Sequence, residues 1–297
     1  MEMMRSPRDI LAAAWRAAAS PARRALPFPF LLLVCCAGDG RTSGDIAPPD
    51  EFVAVTLNIW HDQEDWRARL GVVRDSLRAL EPDVIFLQEV IQKESLVPNQ
   101  AALLAESLGC SYVFVSVDPP GALKRYGNAI LTRHPILTTH EVKLDPLDDY
   151  RVAAHVRVDV AGRTVDAYVT HLHHTQEGSA IRAQQVRHLL RFIDETRGSG
   201  ALILGGDFNA DPDAPELQPI RERMTDTFAA VHPEQAGMPF TTLNPAKGHA
   251  PRRIDYIFVQ PGTLRPTGAA IFLDTPTADG LWASDHFGVW VRLRWSA

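Results

Sequence analysis

Residues 201–209, with the sequence ALILGGDFN, contain an apolar run that is followed by two glycines and then by Asp207 and Asn209. Four consecutive apolar residues before a turn-forming glycine pair predict a short, buried β-strand. Such a strand places the two polar side chains at its end, where a packed sheet can hold chemical groups in fixed positions. This stretch therefore predicts a core strand and one edge of a functional site.

Other apolar strand patterns also end at polar side chains. These are Asn58, Glu89 and His171, while Asp285 and His286 stand just before the last strand pattern. If these ends converge on one rim, they combine carboxylate, imidazole and carboxamide groups. Oxygen ligands without a cysteine cluster favour Mg²⁺, with Mn²⁺ or Ca²⁺ as alternatives, over a structural zinc ion. An imidazole beside a carboxylate and a metal suits the activation of water for attack on a phosphorus ester.

Strand and helix patterns alternate along residues 51–297 without a repeat or a low-complexity boundary, which predicts one domain. Helices are predicted at residues 66–80, 98–108 and 179–195. Strands are predicted at residues 52–58, 83–88, 128–132, 151–160, 164–170, 201–204, 254–260, 264–272 and 288–295. Ala161 and Gly162 separate two of these strands, and this spacing predicts a hairpin.

The N-terminal segment differs from the rest of the chain. Residues 1–24 contain five arginines and only two acidic residues, and an apolar run follows at residues 25–36. This order is typical of an export signal, and the run is shorter than the roughly 17–25 residues of a membrane-spanning helix. We predict an export signal over residues 1–37, with a lipoprotein-type signal at Cys35 or Cys36 as an alternative, and a flexible linker over residues 38–50. The protein is then secreted or periplasmic, or lipid-anchored in the alternative, whereas a start codon assigned too far upstream would make it cytoplasmic.

Composition and charge exclude several classes of protein. The chain is 45% hydrophobic, which is typical of a globular protein and excludes a disordered one. Lys and Arg number 30 against 36 Asp and Glu, so no broad basic surface recruits nucleic acid. A nuclease remains open, because a bound cation supplies positive charge where the phosphate lies.

Seven motifs together resemble those of the endonuclease/exonuclease/phosphatase superfamily, which includes secreted deoxyribonucleases, abasic-site endonucleases, inositol polyphosphate 5-phosphatases and bacterial sphingomyelinases. They are TLNIW (56–60), LQEV (87–90), YGNAILTR (126–133), THL (170–172), GDFN (206–209), RIDYI (253–257) and SDH (284–286). The resemblance covers about residues 51–297. It implies a four-layer α/β/β/α sandwich, in which two mostly antiparallel sheets pack face to face with helices outside.

The resemblance also implies a metal site and a phosphate site. Glu89 matches the principal Mg²⁺ ligand, with Asn58 and Asp285 near the metal or its waters. Asn128 is a candidate for the substrate site, with a strand-edge hydrogen bond as the alternative. Arg151 is a candidate phosphate contact, with a structural ion pair as the alternative.

The remaining motif residues match catalytic positions. The resemblance implies that His286 is the general base or a phosphate contact, and that Asp255 orients its ring. Asp207 would position or deprotonate the attacking water. Asn209 and His171 would donate hydrogen bonds to the phosphate oxygens, where charge develops in the transition state. Which carboxylate is the base and which is the ligand stays open at this stage.

The expected function is hydrolysis of a phosphodiester by activated water, with nucleic acid or phospholipid as the substrate. A nuclease-type activity leads, and a lipid phosphodiesterase or phosphatase at a membrane surface is the alternative. A non-catalytic binding module on the same fold is a minor alternative, which the intact motifs do not favour. The motif loops contain no insertion of basic and aromatic residues of the kind that binds a nucleic acid strand. We expect a monomer without an obligate protein partner.

Overall fold

The computed structural model describes residues 50–233 and 240–296. The predicted export signal, and the predicted linker apart from Asp50, lie outside the described residues. The described strands are β1 (Glu51–Asn58), β2 (Val84–Lys93), β3 (Ser111–Ser116), β4 (Lys124–Thr132), β5 (Ile136–Lys143), β6 (Val152–Val160), β7 (Arg163–His171), β8 (Ala201–Asp207), β9 (Thr225–Asp226), β10 (Asp255–Val259), β11 (Leu264–Phe272) and β12 (Gly288–Trp295). The described α-helices are α1 (Trp66–Leu80), α2 (Gln100–Leu108), α3 (Ser179–Thr196), α4 (Gln218–Arg221) and α5 (Thr227–Val231). Within these ranges, no helix has the length and apolar character that crossing a bilayer requires.

The strands form two six-stranded sheets. The first has the order β11-β12-β1-β2-β4-β3 and the second the order β5-β6-β7-β8-β10-β9. Neighbouring strands are antiparallel except for the pairs β1–β2 and β7–β8. Apolar side chains of alternate residues, such as Phe52 and Ala54 on β1 and Val156 and Val158 on β6, fill the space between the sheets. The predicted sandwich is therefore confirmed.

Helices cover the outer face of each sheet. Val73 and Leu77 of α1 pack with buried residues of β1 and β2, while Leu189 and Ile193 of α3 pack against the second sheet around Tyr168. Burial of one such aliphatic or aromatic side chain stabilises the fold by about 1.5–3 kcal/mol. The site therefore rests on strands that are packed on both faces.

Local sequence sets the helix ends. The Asp65 side chain accepts a hydrogen bond from the Ala68 N–H and begins α1 at Trp66, as predicted. The second helix was predicted from residue 98 but begins at Gln100, because Asn99 caps its first turn. Gly109, with φ of 68°, ends it in the left-handed conformation that glycine adopts without strain.

The predicted hairpin between β6 and β7 is confirmed. Ala161 and Gly162 both have positive φ, 51° and 85°, as a two-residue hairpin turn requires. The Asp159 side chain accepts a hydrogen bond from the Gly162 N–H at 2.6 Å.

Strand register collects the polar strand ends at one edge of the sandwich. In the first sheet Asn58 pairs with Gln88 across the parallel strands β1 and β2. In the second sheet Asp207 pairs with His171 on one side and with Asp255 on the other. The strands of Asn58, Gln88, His171 and Asp207 were predicted to end at or near these residues, whereas Asp255 was predicted at the start of its strand. The two parallel pairs bring the strand ends together, and the antiparallel pair β8–β10 adds the start of β10.

Candidate active site

Asp207 lies where the two sheets meet. Its Oδ2 atom accepts a hydrogen bond from Asn58 Nδ2 at 3.1 Å, which links the second sheet to the first. His171 Nε2 and His286 Nε2 lie 3.3 Å and 3.8 Å from the same oxygen. Oδ1 accepts from the main-chain N–H of Asn209 at 3.0 Å. One buried carboxylate thus contacts four of the residues that the sequence singled out.

His286 is held by Asp255. The His286 Nδ1 atom is 2.9 Å from Asp255 Oδ2, so the ring directs Nε2 towards Asp207. The hydroxyl of Thr242 fixes the start of β10 by accepting from the Asp255 N–H, and the hydroxyl of Ser284 accepts from the His286 N–H. The structure therefore brings the predicted orienting carboxylate to the predicted imidazole.

The charges of this cluster are strongly coupled. Burial raises the pKa of Asp207 to about 7, and the nearby charge of Asp255 acts in the same direction. Burial alone would lower the pKa of His286, but the charges of Asp255, Asp207 and Asp285 outweigh it and hold this pKa well above its ordinary value. Burial, together with the charge of Arg151, holds the pKa of His171 well below its ordinary value. These shifts favour the protonated ring of His286 and the neutral ring of His171.

Glu89 stands at an irregularity of β2. The pairing of β2 with β4 shifts register between Leu87 and Val90, and Glu89 has a φ of 57°. Bulges of this kind redirect a side chain and often lie next to active sites. Glu89 contacts the Tyr126 hydroxyl, and its Oε2 lies 3.9 Å from His61 Nε2. Burial, followed by the charge of Glu89, raises the pKa of Tyr126 and keeps its hydroxyl protonated.

Asp285 lies on the other side of Asn58. The Ser284 hydroxyl donates to the Asn58 carbonyl oxygen at 2.7 Å and lies 3.3 Å from Asp285 Oδ1. His249 Nε2 is 3.2 Å from Asp285 Oδ2. Glu89 and Asp285 therefore flank the end of β1 from opposite sides.

The donor set fits a hard divalent cation. In the part of the chain that the structure describes, no lysine or arginine forms an ion pair with Glu89, so its carboxylate oxygens can serve a metal. Asp207, Asp255 and His286 also approach one another within 4.8 Å. In that group, however, His286 and Asp255 direct Nδ1 and Oδ2 at each other, so their hydrogen bond occupies them. Glu89, Asp285 and Asn58, the metal residues that the resemblance implies, border the end of β1 and leave carboxylate oxygens free of lysine and arginine partners in the described residues.

A cavity of about 550 Å³ opens next to Glu89, and we call it the aromatic cavity. Its walls include Glu89, Lys124, Tyr126, Tyr150, Arg151 and His174. Arg151 is 3% exposed, and within residues 50–233 and 240–296 its Nε atom has no hydrogen-bond partner. The contact that its guanidinium makes is with the face of the Tyr150 ring, 4.6 Å from the centroid. Arg151 is therefore a buried cation that forms no ion pair with another described residue, so the alternative of a structural ion pair is not found among them.

The side-chain amides of two predicted site residues donate hydrogen bonds to main-chain carbonyl oxygens of the protein. Asn128 Nδ2 donates to the Val152 carbonyl oxygen at 2.9 Å, which ties the first sheet to the residue after Arg151. Asn128 is not among the residues lining the aromatic cavity, so it supports the site from behind. Asn209 Nδ2 donates to the Leu172 carbonyl oxygen at 3.0 Å, and this contact would have to break before the amide could reach a phosphate.

The aromatic cavity adds residues that the motif analysis missed. His61, Tyr126, Tyr150 and His174 lie far apart in the sequence and come together through loop packing. Tyr126 stands within the YGNAILTR motif and Tyr150 directly precedes Arg151, so their positions beside predicted residues were the available signal. His61 and His174 carried no signal beyond their residue type.

Comparison with known proteins agrees with this geometry. Residues 55–286 match the model of the Endonuclease/Exonuclease/phosphatase family. The chain belongs to this family, whose members include hydrolases of phosphoric ester bonds.

Two curated relatives are similar to most of this chain. Tyrosyl-DNA phosphodiesterase 2 of Gallus gallus is 25% identical over 255 residues, which cover 81% of this chain and 66% of that protein. Nocturnin of Drosophila melanogaster is 27% identical over 266 residues, which cover 75% of this chain and 41% of that protein. The chain thus spans just under two thirds of the first relative and about two fifths of the second.

Solved structures share the fold. The human Nocturnin catalytic domain with bound sulfate superimposes with a TM-score of 0.69 at 20% identity, covering 84% of this chain and all of that one. A Danio rerio TDP2 complexed with a single-strand DNA product gives 0.66 at 20% identity, covering 83% of this chain and all of that one. At this level of identity the likeness concerns the fold alone.

Proposed function

We propose that this protein is a divalent-metal-dependent phosphodiesterase with nuclease-type activity. The observation that carries the proposal is the convergence of Asn58, Asp207, Asp255 and His286 from both sheets around one buried carboxylate oxygen. The buried side chain of Arg151, whose Nε has no hydrogen-bond partner in the described residues, lies in a cavity with Glu89 and adds a second cationic contact for phosphate. Such preorganised donors stabilise the charge that develops on phosphorus-bound oxygens.

Each residue has a role that follows from its contacts. Asp207 Oδ2 lies among three nitrogen atoms at the centre of the site, so it is the oxygen that orients the attacking water and accepts its proton. His286, oriented by Asp255, and neutral His171 present N–H groups to the phosphate. Glu89, with Asp285 and Asn58, would hold the divalent ion, which would supply positive charge to the phosphate oxygens.

The nuclease assignment draws on the relatives. The chicken relative is named for a phosphodiester between tyrosine and DNA, and the zebrafish structure holds a single-strand DNA product. Nucleic acid is therefore the first substrate to test. Mg²⁺ is the proposed ion, with Mn²⁺ or Ca²⁺ as alternatives, because the donor set is dominated by oxygen.

Phospholipid is the second candidate substrate, and one surface feature favours it. Leu96 and Leu123 are 70% and 73% exposed, and the Glu94 N–H donates to the Leu123 carbonyl oxygen, so their two loops are adjacent. Exposed leucines next to each other favour contact with an apolar surface. Lys124 follows Leu123 and lines the aromatic cavity, so a membrane-bound substrate would lie near the site.

Hydrolysis by the purified protein tests the proposal. Supercoiled plasmid, single-stranded DNA, sphingomyelin vesicles and inositol phospholipid vesicles are incubated with Mg²⁺, Mn²⁺ or EDTA. We expect metal-dependent cleavage of DNA that His286→Ala abolishes. His188→Ala is the matched control, because His188 lies on α3 with Asp145 as its partner. Lipid turnover without DNA cleavage would favour the second candidate, and no turnover of any phosphodiester would contradict the proposal.

We also propose that the protein is exported, on the strength of the basic and apolar segments in residues 1–37. Fractionation of cells that express the full chain tests this. Recovery of the protein, shortened at its N-terminus, outside the cytoplasm is the expected result, and full-length protein in the cytoplasm would contradict it.

A further inference from the structure

The aromatic cavity next to Glu89 has four rings along its wall. His61, Tyr126, Tyr150 and His174 follow one another with centroid separations of 6.1, 6.1 and 6.5 Å. Two of these contacts are edge-on, with interplanar angles of 73° and 61°. The rings therefore form a continuous aromatic wall beside the proposed metal site.

Tyr150 is the ring that is best placed to receive a ligand. The Arg151 guanidinium covers one face of the ring at 4.6 Å, yet 43% of the residue is exposed. The Tyr150 hydroxyl lies 3.4 Å from His174 Nδ1, which restrains the ring. A tyrosine that is backed by a cation and is partly exposed is a platform on which a planar group can stack.

The segment that carries Tyr150 is itself anchored. Asp149 Oδ2 accepts hydrogen bonds from Gln185 Nε2 at 2.8 Å and from His173 Nδ1 at 2.9 Å. The Gln185 side chain also accepts from the His173 N–H at 2.8 Å, which ties both segments to α3. The platform is therefore preorganised, so a ligand need not order it.

The cavity combines this aromatic wall with a buried cation. Arg151 and Lys124 line it together with the carboxylates of Glu89 and Asp118, and within the described residues Arg151 lacks a hydrogen-bond partner at Nε. The cavity volume of about 550 Å³ lies within the range of small-molecule sites. A ligand that satisfies both features has a planar ring and an anionic group a short distance apart. A nucleoside phosphate has this composition, whereas a glycerophosphodiester lacks the ring.

We propose that the aromatic cavity is a subsite for one unpaired nucleotide, with its base stacked on Tyr150 and its phosphate at Arg151. This inference rests on the proposed function, since it names the substrate unit that lies beside the scissile phosphate. A base in this cavity cannot remain in a base pair, and unpairing costs free energy. The subsite therefore favours single strands and strand ends over duplex.

Binding measurements on the full chain separate the base from the phosphate. Thymidine 5′-monophosphate and deoxyribose 5-phosphate are the two probes, measured by titration calorimetry. We expect thymidine monophosphate to bind more tightly, and Tyr150→Ala to weaken it about tenfold while leaving deoxyribose phosphate unchanged. Tyr150→Phe, which keeps the ring, should retain the affinity for thymidine monophosphate. Equal affinities of the wild-type protein for both probes would overturn the inference.

Tyr112→Ala is the matched control. Tyr112 is 42% exposed, as Tyr150 is, but it lies on β3 and is not among the residues lining the aromatic cavity. We expect this variant to bind both probes as the wild type does. An equal loss in Tyr112→Ala and Tyr150→Ala would overturn the inference, because it would indicate a general effect of removing a surface ring.

Hydrolysis distinguishes failure of the subsite from failure of the proposed function. A single-stranded oligonucleotide and its counterpart with one abasic position are compared with glycerophosphocholine. Preferential cleavage next to a base, lost in Tyr150→Ala, supports the subsite. Equal cleavage with and without the base, or a preference for glycerophosphocholine, overturns the subsite and leaves a phosphodiesterase. Ring-dependent binding of the monophosphate without hydrolysis of any phosphodiester supports the subsite and contradicts the proposed function.

Discussion

Replacing Arg151 by methionine should change activity and stability in opposite directions. Arg151 is buried, and neither an ion pair nor a hydrogen bond at Nε compensates its lost hydration within the described residues. A structural arginine would stabilise the fold. A phosphate-binding arginine instead retains a desolvation cost in the free protein and recovers it only with an anion bound. Methionine keeps most of the apolar volume and removes the charge.

The effect of Arg151→Met on kcat and its effect on the free energy of unfolding each have an approximate magnitude. Loss of one preorganised donor to a phosphate oxygen lowers kcat by about 10²–10³-fold. Replacing the unpaired charge by an apolar side chain raises the free energy of unfolding by about 1 kcal/mol, since the stacking of the guanidinium on Tyr150 offsets part of the desolvation cost. For a domain of this size that corresponds to a rise in Tm of about 2–4 °C.

Arg157→Met is the matched control for this pair of measurements. Arg157 lies on β6, the strand that begins directly after Arg151, and its Nε donates to Asp166 Oδ1 at 2.8 Å and its Nη2 to the Thr196 carbonyl oxygen at 3.0 Å. Its replacement should lower the free energy of unfolding by about 2–3 kcal/mol and leave hydrolysis unchanged. Thermal unfolding and steady-state kinetics are recorded for both variants. A fall in Tm with unchanged kcat in Arg151→Met would refute the argument, because it would make Arg151 a structural residue.

Three further changes test other parts of the structure. Asp255→Asn should lower kcat by about 10²–10⁴-fold with little change in KM, because His286 loses its orienting carboxylate, and an effect on KM alone in steady-state kinetics would contradict this role. Glu89→Gln should raise the Mg²⁺ concentration required for half-maximal hydrolysis, and an unchanged metal titration would exclude Glu89 as a ligand. Burial opposes ionisation of Asp83, but hydrogen bonds from His134, Val53 and Arg133 outweigh it and lower its pKa. The stability that Asp83 contributes is therefore complete above its ordinary pKa of 3.8 and is lost as the pH falls towards the lower folded value. The difference between the unfolding free energies of the wild type and Asp83→Asn should accordingly stay constant from about pH 7 to about pH 5 and shrink as the pH falls below 3.8, and a difference that stays constant down to about pH 2 would contradict the pairing.

The sequence predicts those residues of the candidate site that lie at the ends of buried strands. Asn58, His171 and Asp207 each end a buried strand, and such a strand is encoded locally by a run of apolar residues. Whether those ends meet depends on which strands pair in parallel. That pairing is a property of the whole fold, and it entered the prediction only through the family resemblance.

Elements without a local apolar pattern were missed. The edge strand β5, ILTTHEVK, carries five consecutive exposed residues from Leu137 to Glu141 and therefore lacks the alternation that indicates a half-buried strand. It forms because its main chain pairs with that of β6 through antiparallel hydrogen bonds. The strand β2 was predicted to end at Gln88, but its pairing with β4 resumes at Val90 beyond the bulge. No residue type in this stretch indicates a bulge.

The aromatic cavity escaped prediction for a different reason. Tyr126 belongs to β4, Tyr150 to the segment before β6, and His174 to the segment after β7, so tertiary packing alone brings them together. Their alignment depends on Asp149, whose carboxylate is fixed by Gln185 of the distant helix α3. A contact of this kind has no periodic signature in the sequence.

Several strained or unsatisfied groups lie at this rim of the molecule, while others, such as Glu81, Ala161 and Trp295 Nε1, lie elsewhere. Glu89 and Asn209 have positive φ values of 57° and 51°, conformations that cost free energy for residues other than glycine. Buried polar atoms without a hydrogen-bond partner in the described residues include Arg151 Nε, His171 Nδ1 and Asp255 Oδ1, all at the candidate site. A fold selected for stability alone would satisfy these groups or replace them. The members that lie where both sheets end combine the carboxylates of Glu89 and Asp255 with the cation Arg151 and the side chains of His171 and Asn209. This combination supports the proposal that a phosphodiester and a divalent ion bind at this rim.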